Sequence, residues 1–414
     1  MKAAFWIVSF SCVALFFFNL SSRRADVSAL PLKDSVVAKV VAAPKKMVAT
    51  EENPFVKETI NEFESFVKTM IANGQAPGAA VAIVRDTNII FLKGFGLREM
   101  GKPDSINART VFRVGSVSKS ITATLCAVLV QQGIIDWDDP VKKYLPDFKL
   151  KSESATEKLK LRHLLSHTEG LPYHAYTDMV DRNAPVDTLI DYLQDLDLIA
   201  EPGKIHSYQN VGFSLIGKVI EAATHRSFED VITEKLFKPL SMDDASASYQ
   251  KIIEDDDVAK PHQVTRPRKI SPTYFSVAPA GGINASAQDM ALWLKALICE
   301  KPTMFPSKRI NEMLKPQVWA PIRNYYFYKL KKVRKPFYAL GWRIFAMNND
   351  TLAYHGGFVN NYRCEVAFSR KNKIGIAILV NTPGMLADQA VPKFFSIYDR
   401  HLDSISRWKR RPSL

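Results

Sequence analysis

A chain of 414 residues, 47% apolar and 24% charged, has the balance of a globular protein; this excludes long-range disorder and suits one large mixed α/β enzyme with subdomains. Much of the excess behind the formal net charge of +14 gathers in two patches, Lys329, Lys331, Lys332, Arg334 and Lys335, then Arg407, Lys409, Arg410 and Arg411, rather than in a uniform field. Of the four cysteines, Cys12 falls in a leader-like segment and Cys126, Cys299 and Cys364 remain, an odd number that argues against a disulfide framework.

Met1 and Lys2 precede an apolar stretch over residues 3–20, followed by Arg23 and Arg24. That pattern reads as an export signal over residues 1–29, with cleavage after Ser22 or Ala29, and it is also long enough to stay as a membrane anchor. A mitochondrial leader would be amphipathic, whereas this segment is apolar all round. Cys12 lacks the surroundings of a lipidation site. The protein is therefore expected to be exported, periplasmic or anchored to the outer face of the inner membrane. Residues 30–54, rich in Ala, Val and Lys with scattered Pro, read as a tether.

The catalytic body is expected over residues 55–403. An amphipathic helix is predicted over residues 56–73, and strands over 79–84 and 88–93 flank the turn-like Asp86-Thr87. Residues 116–132 form an apolar run closed by Gly133, which predicts a buried central helix. Residues 137–260 read as a helical subdomain, with helices over 185–196, 211–224 and 228–237. Ser286 and Asp289 resemble a capping box that starts a helix through Ile298. Strand character returns over 338–346, 351–355, 362–369 and 373–381, before a closing helix over 390–402 and a basic tail over 404–414. Strands at both ends with helices between predict one antiparallel sheet assembled from both terminal segments and flanked by helices. Tyr325, Tyr326, Phe327 and Tyr328 beside the first basic patch would suit stacked bases. With an export signal, an anionic membrane or cell-wall surface is the better partner, and a solvated surface loop is the plainest reading; no nucleic-acid partner is expected.

Three clusters carry possible chemistry. Ser116 and Lys119 stand three apart at a helix start, on one face and within mutual reach. A lysine with a depressed pKa can take the serine proton, and the free N–H groups of the helix start can stabilise an oxyanion. The plain alternative is an N-capping serine with a surface lysine. Tyr208 and Asn210 precede the helical run from Val211. A phenol beside a lysine can act as general base, while the plain alternative is a satisfied buried Tyr and a capping Asn. Tyr354-His355-Gly356-Gly357-Phe358 ends a predicted strand, and its bare backbone would let a substrate lie along the strand edge. His355 could bind a carboxylate or polarise Tyr208; otherwise it is a solvated histidine at a strand-end turn.

The ordered set Ser116-x-x-Lys119, Tyr208-x-Asn210 and His355-Gly-Gly357 resembles the three signature motifs of class C β-lactamases and related penicillin-binding proteins. Residues 161–171, 236–242 and 279–283 resemble further stretches of that family, so the likeness spans roughly residues 55–400. The resemblance implies a β-lactamase/transpeptidase-like fold with Ser116 as nucleophile of an acyl-enzyme. It implies Lys119 and Tyr208 sharing the base role, Asn210, His355 and Gly357 binding substrate, and the backbone N–H groups of Ser116 and Phe358 forming the oxyanion hole. No cofactor and no metal are implied. His-Gly-Gly stands where the lactamases carry Lys-Thr-Gly, so an esterase or D-amino-acid peptidase acting on cell-wall-type peptides or esters comes first. A true class C-like β-lactamase comes second, and a catalytically silent penicillin-binding or cell-wall sensor protein is the rival outside catalysis. Other chemistries fit poorly. Val114 and Ser118 replace the glycines of an α/β-hydrolase elbow. His163 and His167, four apart, have no following Glu for a zinc site, and Gly94-Phe-Gly96 has no third glycine for a dinucleotide loop.

Overall fold

The computed structural model describes residues 47–299, 304–322, 333–347 and 350–409. The expected export signal, most of the tether, the aromatic run 325–328 with Lys329, Lys331 and Lys332, and residues 410–414 of the basic tail lie outside the described residues.

Helix α1 (Pro54–Ala72) starts where Asn53 caps it, its side-chain oxygen accepting from Phe55 N and Val56 N; Pro54 sits at the first helical position, where no backbone donor is needed. The expected hairpin follows as β1 (Gly78–Arg85) and β2 (Asn88–Gly96), with Asp86 at φ +50° in the turn. All eight residues of β1 are buried, because the central strands are covered on both faces. The remaining strands of this eight-stranded sheet come late: β3 (Val318–Trp319), β4 (Lys335–Tyr338), β5 (Arg343–Ala346), β6 (Thr351–Val359), β7 (Tyr362–Ser369) and β8 (Ile374–Val380). They assemble in the order β2-β1-β8-β7-β6-β5-β4-β3, every pair antiparallel. The last strand in sequence thus docks against the first, as expected of a sheet built from both terminal segments.

The single strand expected over 338–346 is two strands. Gly341, at φ +71°, turns the chain between them, and a Cβ there would stand 2.7 Å from Lys119 O and 2.6 Å from Ala123 Cβ. The β4–β5 turn is thereby pressed onto α2 (Val117–Gln131), the central helix. That helix is rich in Ser and Thr, and each buried hydroxyl is matched: Ser118 Oγ accepts from Ile283 N, Ser120 donates to Gly341 O, Thr122 to Pro279 O and Thr124 to Ser120 O. Matched hydroxyls can be buried at little cost. They also fix α2 in rotation.

Residues 137–260 carry helices and no strand among the described residues. The longest is α3 (Asn210–Thr224); the helix from Phe228 passes through a π turn to Phe237. The short helix α4 (Ala278–Gly281) lies between α2 and α3. The expected capping box is present at the start of α5 (Ala287–Cys299): Asp289 accepts from Ser286 N, and Ser286 Oγ accepts from Asp289 N. Helix α6 (Met385–Lys409) extends well beyond the expected 390–402. It packs with α1 over one face of the sheet, while α2 and α5 cover the other. Among the described residues no helix is long and apolar enough to cross a membrane.

Candidate active site

Between Val111 and Val130 every residue is buried except Ser116, which is half-buried at the start of α2. Its side chain makes no capping hydrogen bond, so the capping alternative does not describe it. Lys119 is fully buried. Its Nζ lies 3.3 Å from Ser116 Oγ, 2.8 Å from Asn210 Oδ1 and 2.8 Å from Ala280 O. Burial first, and the nearby Arg343 charge second, hold the amine well below the usual lysine range.

Tyr208 stands over the same amine, with Lys119 Nζ 4.7 Å from its ring centroid. Burial pushes the phenol up, against the contact with Ser116 and the Arg343 charge. Of the two groups, then, the amine is the one that the surroundings shift toward its neutral, proton-accepting form. Asn210 does not cap α3, since the Gln209 side chain accepts from Val211 N in that role. Asn210 instead presents Oδ1 to Lys119, with Nδ2 3.4 Å from the Tyr274 hydroxyl.

His167 lies at the end of the helix Leu161–Ser166 in the left-handed region, φ +56°. It is therefore off the helical face that His163 occupies. Its Nδ1 accepts from Gln209 N, and its ring centroid lies 4.2 Å from that of Tyr208, so it braces the backbone and ring beside the serine. His163 Nδ1 accepts from Lys160 N. The two histidines thus serve separate local structures. No group of three or more metal-ligating side chains comes together among the described residues.

The third cluster lies within a strand rather than at its end. Strand β6 pairs with β5 only through Tyr354, so Gly356, Gly357 and Phe358 have β7 on one side and, among the described residues, an open edge on the other. Gly357 closes on α2: a Cβ there would stand 2.0 Å from Val114 O and 3.1 Å from Ser116 N. Gly115, at φ +53°, brings the other side in, with a Cβ position 2.8 Å from Phe358 N. These two glycines let the backbone at the start of α2 and the backbone at Phe358 approach closely at the cleft. His355 is buried, not solvated. Its Nε2 lies 2.9 Å from the Tyr338 hydroxyl and its Nδ1 2.9 Å from Gly356 O; a carbonyl can only accept, so Nδ1 carries the proton and Nε2 accepts from Tyr338. Both ring nitrogens are engaged within the protein, and burial, then Arg343 and Lys119, hold the imidazole neutral.

The cleft has a volume of about 360 Å³ and is lined by Ser116, Tyr208, Asn210, His355, Gly357 and Phe358 together with His174, Tyr274 and Arg343. All the sequence-predicted site residues therefore meet in one place. Tyr338 and Arg343 carried no motif, and the strand prediction over 338–346 concealed the turn between them, which leaves the Tyr338 hydroxyl on His355 and Arg343 in the wall of the cleft. Ala280 lies in the family-like stretch 279–283, but a backbone carbonyl leaves no side-chain signal.

A family model described as Beta-lactamase matches residues 63–394. Protein flp of Staphylococcus aureus (strain NCTC 8325 / PS 47) is 24% identical over 341 residues, 80% of this chain and 64% of its own. The unguisins hydrolase ungD' of Aspergillus campestris is 24% identical over 359 residues, 83% of this chain and 65% of its own. The chain thus spans slightly less than two thirds of the length of these curated relatives. Among solved structures, the octameric penicillin-binding protein homologue from Pyrococcus abyssi superposes with a TM-score of 0.71 at 26% identity, covering 83% of this chain and 77% of that one.

Proposed function

The chain belongs to the Beta-lactamase family of serine hydrolases, and on that premise we propose that it hydrolyses esters or D-amino-acid peptides through an acyl-enzyme on Ser116. One observation carries the reading: the partners of the Lys119 amine. Asn210 Oδ1 and Ala280 O can only accept, and Ser116 Oγ completes the set. A neutral amine has two N–H bonds and one lone pair, so two protons go to the two carbonyls and the lone pair faces the serine hydroxyl. That is a general base already aimed at its nucleophile.

In the proposed reaction Lys119 takes the hydroxyl proton as Oγ bonds to the substrate carbonyl carbon. The N–H groups of Ser116 and Phe358 hold the oxyanion. As the bond to the leaving group breaks, that proton passes to the departing oxygen or nitrogen, with the neutral Tyr208 phenol beside it as relay. Water then cleaves the acyl-enzyme by the same steps in reverse. The open edge of β6 accepts an extended substrate. His355, with both nitrogens engaged, supplies neither the charge nor the free donor that a β-lactam carboxylate would need, which supports ester or peptide substrates ahead of β-lactams. The apolar segment 3–20 supports export, with the enzyme on the outer side of a membrane.

Labelling with a fluorophosphonate and with a fluorescent penicillin, in wild type and Ser116→Ala, tests the reading. Label on the wild type that Ser116→Ala abolishes is expected; no Ser116-dependent label with either probe would leave a binding-only protein. Turnover of nitrocefin and a p-nitrophenyl ester, measured together, is expected to favour the ester.

The pH profile provides a second check. The reactive form is the neutral amine, so kcat/KM should fall as pH drops through the depressed pKa of Lys119. Arg343→Gln removes a cation that disfavours the ammonium, so the amine pKa rises and the acid limb moves to higher pH. A profile unmoved by Arg343→Gln would remove Arg343 from this role.

A further inference from the structure

A second cavity, of about 540 Å³, adjoins the Ser116 cleft, and Tyr208, His174 and Arg343 line both. Its far wall is apolar and open to solvent: Tyr173 is 52%, Ile205 48% and Trp319 62% exposed. Large apolar side chains clustered at a concavity mark a place where something apolar binds. Lys204 and Arg343 also line it, and among the described residues no acidic side chain does. The Arg343 guanidinium lies 5.8 Å from the Tyr208 ring centroid and 5.5 Å from that of Tyr338, and it makes no ion pair among the described residues. The wall therefore carries positive charge that repels cationic groups.

The position of this cavity decides which part of a substrate would enter it. This step rests on the reaction proposed above. The proton removed from Ser116 must return to the leaving group, so that group departs on the side of the cleft occupied by Lys119 and Tyr208. Tyr208 forms part of the wall of the second cavity, whereas Gly357 and Phe358 line only the first. We propose that the second cavity is the leaving-group site, and that it selects esters or amides whose alcohol or amine portion is bulky, apolar or aromatic, and not cationic. In the acylation step the Ser116 Oγ–acyl bond forms and the acyl–leaving-group bond breaks. The proton goes to the departing heteroatom, and the freed alcohol or amine leaves through the aromatic mouth.

Two esters sharing one acyl group, 2-naphthyl acetate and trifluoroethyl acetate, test this in wild type, Trp319→Ala and Ser116→Ala. Trp319 is exposed on a short edge strand, so its truncation leaves the fold intact. Each ester is compared with itself across proteins, which cancels intrinsic reactivity. Trp319→Ala should lower kcat/KM for 2-naphthyl acetate about tenfold, since one aromatic wall is lost, and leave trifluoroethyl acetate within about twofold. Both esters form the same acetyl-enzyme, so its rate of hydrolysis should not change. The product 2-naphthol should inhibit competitively, and more weakly in Trp319→Ala. An equal fall for both esters would overturn the assignment. Ser116→Ala separates the two claims: undiminished turnover there defeats the proposed reaction. Turnover that depends on Ser116 but ignores Trp319 defeats only the leaving-group site.

Discussion

Lys119→Met should lower kcat/KM for ester hydrolysis by about 10³-fold, the contribution expected of a positioned general base with its nucleophile. Methionine keeps the length and apolar stem of the side chain but has no proton-accepting amine. Lys119→Arg should be no better, because guanidinium stays protonated at any working pH and so offers no lone pair. The buried site must also accommodate the change. Loss of the amine would leave Asn210 Oδ1 and Ala280 O without their donor, at a cost of about 1–3 kcal/mol each. Thermal unfolding should therefore be measured beside the kinetics, on protein confirmed to be folded. Folded Lys119→Met that keeps more than about a tenth of the wild-type kcat/KM would exclude the amine as the base.

Gly357→Ala should be the most damaging single methyl group in the molecule's cleft. The added carbon would meet Val114 O at 2.0 Å and Ser116 N at 3.1 Å. These are backbone atoms on either side of the tightly packed Gly115, so no side chain can swing away. The strand and the start of α2 must part, and the two N–H groups proposed to hold the oxyanion part with them. Losing one such donor costs about 10²–10³ in kcat, with smaller effects on KM. Gly356→Ala is the informative neighbour. Its added carbon meets the Tyr354 hydroxyl at 2.3 Å and Glu365 Oε2 at 2.8 Å, the far ends of side chains rather than backbone, and on the opposite face of the strand. Its kcat should fall far less. Equal kcat values for the two variants would show that contact between strand and helix does not set the rate.

Most of the site was legible because its chemistry is carried by side chains at short, fixed spacings. Ser116 and Lys119 share a helical face, Tyr208 and Asn210 bracket a helix start, and the paired glycines mark a close approach. The larger architecture was legible through periodicity, as in the hairpin Asp86 closes and the central helix Gly133 ends. The residues that were hidden are of another kind. Gly341 splits one expected strand into two, and it is only its packing against Lys119 O that makes the turn necessary. Arg343 and Tyr338 matter through that turn, which no local pattern announces. His355 was readable as a site residue, yet its engagement by Tyr338 depends on a residue 17 positions away in the chain and two strands over in the sheet. The Ala280 carbonyl is invisible for a simpler reason, since backbone acceptors have no letter in the sequence.

The pairing of β1 with β8 has a consequence for biogenesis. The serine and its lysine are synthesised in the first third of the chain, but the strand that supplies Phe358 N and the turn that seals Lys119 come more than 200 residues later. Such long-range closure is slow and comes late. On the proposed reaction, a ribosome-bound or truncated chain would therefore carry a harmless hydroxyl, and hydrolytic power would arise only when the C-terminal strands slot in beside the N-terminal hairpin.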